Sequence, residues 1–212
     1  MTALSAASLR RIRLALLVLV GFALGGLAAV ALVPQLRARL LPASGTGAVG
    51  QALIGGPFTL TDHTGRRVSD ADFRGKFMLV LFGFTYCPDV CPSSLQVMAA
   101  ALDRLGPKAE RIVPILITVD PERDTPRQLA AYVASFHPRL IGLTGSPAEV
   151  EAAQKAYRVY VRKVPDPKST AGYNLDHSAF VYLMGPDGTY RTHFGPATSL
   201  DAMADRLARI VQ

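Results

Sequence analysis

Cysteine occurs only twice in the 212 residues, as Cys87 and Cys91, and histidine only four times. No third or fourth cysteine is available to close a zinc site of thiolates. No cysteine stands near the end of the N-terminal apolar stretch either, which excludes a lipoprotein anchor. Acidic residues are missing from the first 61 positions, where Arg10, Arg11, Arg13, Arg37 and Arg39 are the only charges. With those five of the 23 Lys and Arg set aside, 18 basic side chains face all 16 acids. The basic balance therefore reports the N-terminus, and a nucleic-acid footprint is not supported. No internal repeat and no low-complexity tract follows residue 56.

Charge is also absent from residues 14–33, an apolar stretch of the length that spans a bilayer core as one helix. The three preceding arginines place residues 1–13 in the cytoplasm and the chain beyond residue 33 outside, with Arg37 and Arg39 opposing that bias. A cleaved signal peptide is the competing reading. The stretch is long and lacks a small-x-small site close behind it, which favours a retained anchor. Gly21 and Gly25 make a G-x3-G, a spacing common in such helices. Residues 34–56, with Pro42 and a Gly- and Ala-rich stretch from Ala43 to Gly50, read as a flexible tether. Residues 57–212 suffice for one compact domain.

Within that domain, residues 58–60 and 67–68 flank a turn at 62–65 and predict a hairpin. Residues 77–84 form an apolar run expected of a strand buried on both faces. From Pro92 the pattern turns helical: Leu95, Met98, Leu102 and Leu105 share a face, and Gly106 ends it. A second apolar strand is predicted at 111–119, then a polar loop in which Asp124 or Thr125 caps a helix over 128–136. A short strand at 140–143 precedes a capping box at Ser146 and Glu149, which opens a helix to about Tyr157. Residues 159–164 read as an irregular strand and 165–176 as a mobile loop ending at His177. Strands at 178–184 and 189–194 around Pro186-Asp187-Gly188 form a second hairpin, and 200–211 an amphipathic helix. This order is that of a thioredoxin-like α/β domain with an N-terminal hairpin. The strands at 77–84 and 111–119 should be parallel, joined by a helical crossover. Cys87, Cys91 and Asp120 lie just past strand ends, so they should share one edge of the sheet.

The two thiols stand in the loop that opens a helix, where unpaired N–H groups and the positive end of the dipole favour thiolate. Metal binding and disulfide chemistry both need a thiolate. A plain structural disulfide is the alternative, although so short a loop constrains the unfolded chain little. The C-x3-C spacing is one residue wider than a C-x-x-C redox motif, leaving room for a metal between the sulfurs. Two soft thiolates suit Cu(I) or zinc. Copper accepts fewer ligands, and one imidazole would complete a Cys2His set that also holds Cu(II). Of the histidines, His63 sits in a turn, His137 at a helix end before Pro138, and His193 in the last hairpin. His177 follows the 165–176 loop and opens an apolar strand, so it competes as a ligand with the role of a hydrogen-bonded strand-end histidine. In the compartment outside the inner membrane, thiols tend to be oxidised.

Three stretches, GFTYCPDVCP at 83–92, VDPERDTP at 119–126 and DHSAFVYLMGPDG at 176–188, resemble in this order the Sco/SenC family. The resemblance covers essentially the whole domain. It implies a thioredoxin-like copper metallochaperone that delivers copper to the CuA centre of cytochrome c oxidase. It implies Cys87, Cys91 and His177 as copper ligands, and Asp120 as an acidic residue near the copper that serves partner docking and redox tuning. Tyr173 and Asn174 carry no weight. Asp176 could orient His177, although a surface carboxylate is the plainer reading. The implied partners are the oxidase subunit carrying CuA, a periplasmic copper donor, a thiol reductant and the membrane. The implied location is the inner membrane, single-pass, with the domain in the periplasm or an equivalent space. The alternative function is a thiol-disulfide oxidoreductase, with Cys87 and Cys91 as the redox pair that reduces the cysteines of the copper acceptor. A thiol peroxidase on the same fold is a third reading, for which no motif positions an arginine. Everything rests on His177 coming within bonding range of both sulfurs.

Overall fold

The computed structural model describes residues 10, 13–14, 16–21, 54–169 and 171–211. The chain divides into two units, Met1–Gln51 and Ala52–Gln212. In the first, the described residues are helical and exposed. Residues 15 and 22–33 of the expected membrane span, and 34–53 of the expected tether, lie outside the described residues. Among the described residues no helix is long and apolar enough to cross a membrane.

In the second unit, Ile54 lies against the core and the Gly55 N–H donates to the Ala156 carbonyl. A hairpin of β1 (Thr59–Asp62) and β2 (Arg67–Ser69) follows. Then come β3 (Phe77–Gly83), α1 (Val90–Leu105), β4 (Ile112–Thr118), α2 (Pro126–Ala134), β5 (Ile141–Thr144) and α3 (Pro147–Ala156). The chain closes with β6 (Val161–Pro165), β7 (Tyr173–His177), β8 (Val181–Met184), β9 (Tyr190–Phe194) and α4 (Leu200–Ile210). Seven strands form one sheet in the order β2-β1-β5-β4-β3-β8-β9, while β6 and β7 make a separate antiparallel pair. β3 runs parallel to β4 over Phe77–Gly83 against Ile112–Thr118, as a helical crossover requires.

Every residue of β3 is buried because both faces of the sheet are covered. Met78, Val80 and Phe82 join Val150 and Ala153 of α3 and Tyr157 in one core layer. Leu79 and Leu81 join Leu95, Met98 and Leu102 of α1, Leu129 of α2, and Met203 and Leu207 of α4 in the other. Each such large apolar side chain contributes about 1.5–3 kcal/mol on burial. β3 and β4 therefore form a rigid floor whose carboxyl ends present the loops that follow.

Several boundaries differ from the sequence expectation. α1 starts at Val90 rather than Pro92, which puts Cys91 inside the first turn. Pro92 is tolerated there because N–H groups of a first turn have no helical partner to lose. α2 starts at Pro126, with Thr125 as the capping residue, and ends two residues earlier than expected. Residues 173–177, read as the end of a loop, form β7, so His177 ends one strand rather than opening the next. The period-two series Tyr173, Leu175, His177 puts Leu175 into the core, which is what the short polar segment concealed.

Candidate metal centre

Cys87 follows β3 by four residues and is half-buried; Cys91, in the first turn of α1, is fully buried. Both are free thiols. The Cys91 N–H donates to Cys87 Sγ at 3.3 Å, and Cys91 Sγ lies 3.6 Å from His177 Nε2. One donor atom from each of Cys87, Cys91 and His177 falls within 4.8 Å of the other two. The imidazole does fold back over the sulfurs. It is carried there by β7, locked in register to β6 with Val161 opposite His177.

Two features set its orientation. Nδ1 stands 3.1 Å from the Ser178 carbonyl, which can only accept, so Nδ1 carries the proton and Nε2 faces Cys91. The ring also packs edge-on against Phe84, centroids 5.7 Å apart. Asp176 is not the orienting group: it points to Arg162 across the β6–β7 pair, at 3.3 Å on the surface. Gly83 is part of the centre too, because a Cβ there would come within 2.9 Å of Cys91 Sγ.

The two thiols differ in acidity. Cys87 is lowered to about 4, first by the hydrogen bond from Cys91, with the N–H groups of Asp89 and Cys91 acting in the same direction and burial opposing. Cys91 is pushed up, first by the hydrogen bond it gives Cys87, then by burial and by the neighbouring negative sulfur. The helix opening thus favours one thiolate, not two. Since the lowered value means that the proton is already off above about pH 4, alkylation of Cys87 should be nearly independent of pH from about 6 to 8. A free cysteine would gain about tenfold per unit below its ordinary pKa near 8.5. Iodoacetamide labelling followed by mass spectrometry measures the slope, and a tenfold rise per unit would contradict the assignment.

Beneath the cysteine loop lies a polar cluster that the sequence reading only partly foresaw. Asp120, 1% exposed, accepts from Arg123 and, at 2.9 Å, from the Tyr173 hydroxyl. A buried carboxylate meets a partner only through the groups that cover it, so any part in docking runs through Arg123 and Tyr173. Tyr173, given no weight from sequence, is thus a member of the cluster. Asp124, expected as a possible helix cap, turns inward instead. It accepts from the Thr85 N–H at 3.1 Å, the Thr85 hydroxyl at 2.7 Å and the Thr118 hydroxyl at 2.6 Å. Burial raises its carboxyl pKa, with those hydrogen bonds opposing. It ties the loop after β3 to the end of β4. Arg123 was legible only as a letter in a polar loop, and Phe84 only as the end of an apolar run.

The other histidines serve elsewhere. His63 Nδ1 accepts from the Gly142 N–H at 3.2 Å, bridging the β1–β2 turn to β5. His137 accepts from the Arg139 N–H at 3.1 Å and is lowered chiefly by burial. His193, on β9, meets Tyr190 of the same strand and Phe180, which precedes β8. Among the described residues, Cys87, Cys91 and His177 form the cluster of donors able to hold a metal ion.

Comparison with known proteins gives an independent reading. The family model described as SCO1/SenC matches residues 46–212. The human protein called SCO1 homolog, mitochondrial, is 43% identical over 179 residues, which cover 82% of this chain. The chain spans only 59% of that relative's length and 48% of a corresponding Arabidopsis thaliana protein's. Among solved structures, Arabidopsis thaliana ScoI with copper bound superimposes with a TM-score of 0.70 at 42% identity, over 74% of this chain and 96% of that one. BsSco, described through a disulfide switch and as a member of the Sco family of cytochrome c oxidase assembly proteins, matches with a TM-score of 0.57 at 28% identity, over 75% and 95%.

Proposed function

Because the chain belongs to the SCO1/SenC family, we propose that it is a copper chaperone for cytochrome c oxidase, whose cargo is held by Cys87, Cys91 and His177. The observation that carries this reading is the convergence of those three donors within 4.8 Å. Two sulfurs and one imidazole nitrogen are a soft set, matched to Cu(I), and the imidazole extends the match to Cu(II). Cys87 is already a thiolate, and Cys91 gives up its proton when both sulfurs bind. Oxidation of the pair to a disulfide removes both soft donors, so loading requires prior reduction. The copper-bound Arabidopsis relative supports the cargo, and the family description of BsSco supports the oxidase as recipient.

Residues 14–33 then serve as a single-pass anchor in the inner membrane, with residues 34–56 as tether and 57–212 in the periplasm or an equivalent space. The apolar, charge-free composition of 14–33 and the arginines before it support this arrangement. A copper donor and a thiol reductant in the same compartment complete the cycle. The test is metal content: the reduced full chain, dialysed against excess copper and then against chelator, should retain one copper per chain, and no retention would refute the reading.

His177→Ala should weaken Cu(II) far more than Cu(I), because the thiolate pair holds the softer ion alone. Competition titrations with each ion check this, and equal losses would remove His177 from the ligand set.

The unequal thiols favour a second reading, a thiol-disulfide oxidoreductase. Cys87 thiolate attacks one sulfur of an acceptor disulfide, forming a mixed disulfide and releasing a thiolate on the acceptor. Cys91 then loses its proton and attacks Cys87 Sγ, closing the Cys87–Cys91 disulfide and freeing the second acceptor thiolate. Two electrons pass from this chain to the acceptor. Turnover of a protein disulfide that survives His177→Ala would favour this reading over carriage alone.

A further inference from the structure

Arg123 is 11% exposed and lies between the segments that supply the three donors. Its guanidinium carbon stands 4.2 Å from the centroid of Tyr173, 4.8 Å from Tyr86 and 5.7 Å from Phe84. Tyr86 immediately precedes Cys87, and Phe84 is the ring on which His177 rests. Tyr173 begins the strand that ends at His177, and the two residues share a face of it. The same guanidinium pairs with buried Asp120, and its Nη1 reaches the Ser169 hydroxyl at 3.4 Å in the loop before β7. Among the described residues Nη2 is buried with no hydrogen-bond partner, and ring faces line that side of the fork. A buried cation without a full set of hydrogen bonds is costly, and ring faces repay such a cost only when they are held close to it.

We propose that Arg123 is a positioning residue: stacked between Tyr86 and Tyr173, it clamps the β6–β7 hairpin to the cysteine loop and so holds His177 over the sulfurs before copper arrives. This rests on the ligand set proposed above. It places the clamp in the loop after β4, which belongs to neither ligand segment. The soft sulfur pair is built on β3 and α1 and does not depend on the clamp. The imidazole does, because β7 is outside the main sheet and, among the described strands, pairs with β6 alone.

The test uses the full chain, reduced, with Arg123→Met, Tyr173→Leu and Tyr173→Phe. Arg123→Met leaves Asp120 unpaired, so Tyr173→Leu removes one jaw of the clamp while keeping the Arg123–Asp120 pair. Tyr173→Phe keeps the ring and serves as the conservative control. Before any copper is added, the nuclear Overhauser contact between the Phe84 and His177 rings should vanish in Arg123→Met and Tyr173→Leu and persist in Tyr173→Phe. Cu(II) affinity should fall about 10–100-fold in the first two, the loss typical of removing support for a metal ligand, and Cu(I) affinity should stay within about threefold. Folded Arg123→Met and Tyr173→Leu proteins that keep the ring contact and wild-type Cu(II) affinity would overturn the proposal. So would equal loss of both ions. His177→Ala separates the two levels: if it too spares Cu(II), the ligand assignment fails, whereas if it alone weakens Cu(II), only the clamp fails.

Discussion

Replacing Cys87 or Cys91 by serine is expected to abolish retention of Cu(I) by the reduced chain against a competing chelator. A hydroxyl is a hard, weakly acidic donor and cannot replace a thiolate toward a soft ion. Each single variant leaves one sulfur and one imidazole, too few soft donors to outcompete a chelator. The two variants should differ in another respect. In Cys87→Ser the remaining thiol is the buried one whose proton is held tightly, in part by the group just removed. In Cys91→Ser the remaining thiol is half-exposed Cys87, and Cys91→Ala, which unlike serine removes its principal hydrogen-bond donor, should raise its pKa from about 4 and give its alkylation a pH slope. Metal analysis after chelator challenge measures the first effect, and labelling across pH the second. Stoichiometric Cu(I) in both single variants would sink the assignment.

Asp124→Ala is expected to cost about 3 kcal/mol or more of folding stability. The side chain is 0% exposed and accepts three hydrogen bonds, from the Thr85 backbone, the Thr85 hydroxyl and the Thr118 hydroxyl. Each donor left buried and unpaired costs about 1–3 kcal/mol, to which the small cavity adds. Asp124→Asn preserves the shape and one carbonyl acceptor, and it avoids burying a charge, so most of that stability should remain. Urea unfolding followed by circular dichroism compares the two, and an alanine variant as stable as asparagine would show that the hydrogen bonds contribute nothing net. Because Thr85 lies two residues before Cys87, the alanine variant should also loosen the cysteine loop.

The sheet was legible in the amino-acid order to the extent that burial on two faces writes itself as a continuous apolar run, as in β3 and β4. The capping box at Ser146 and the parallel β3–β4 pair were equally plain. β7 was not, because a short strand outside the main sheet alternates polar and apolar residues and looks like loop. The cysteine pair announced its chemistry through spacing and the helix behind it. His177 was singled out by its place after residues 165–176 and then by a motif, yet no periodicity predicted the register with Val161 that brings it over the sulfurs.

What the sequence by itself determined is the set of local choices: which runs are apolar enough to be buried, where helices start, and that two thiols share one helix opening. What only the tertiary structure decided is that His177 comes within reach of both sulfurs, which thiol keeps its proton, and that Asp120, Arg123 and Tyr173 form one buried unit. The reason is physical. Capping depends on neighbours in the chain, whereas the contacts of Asp124 with Thr85 and of His177 with Cys91 join groups 39 and 86 positions apart that meet only when the strands pair.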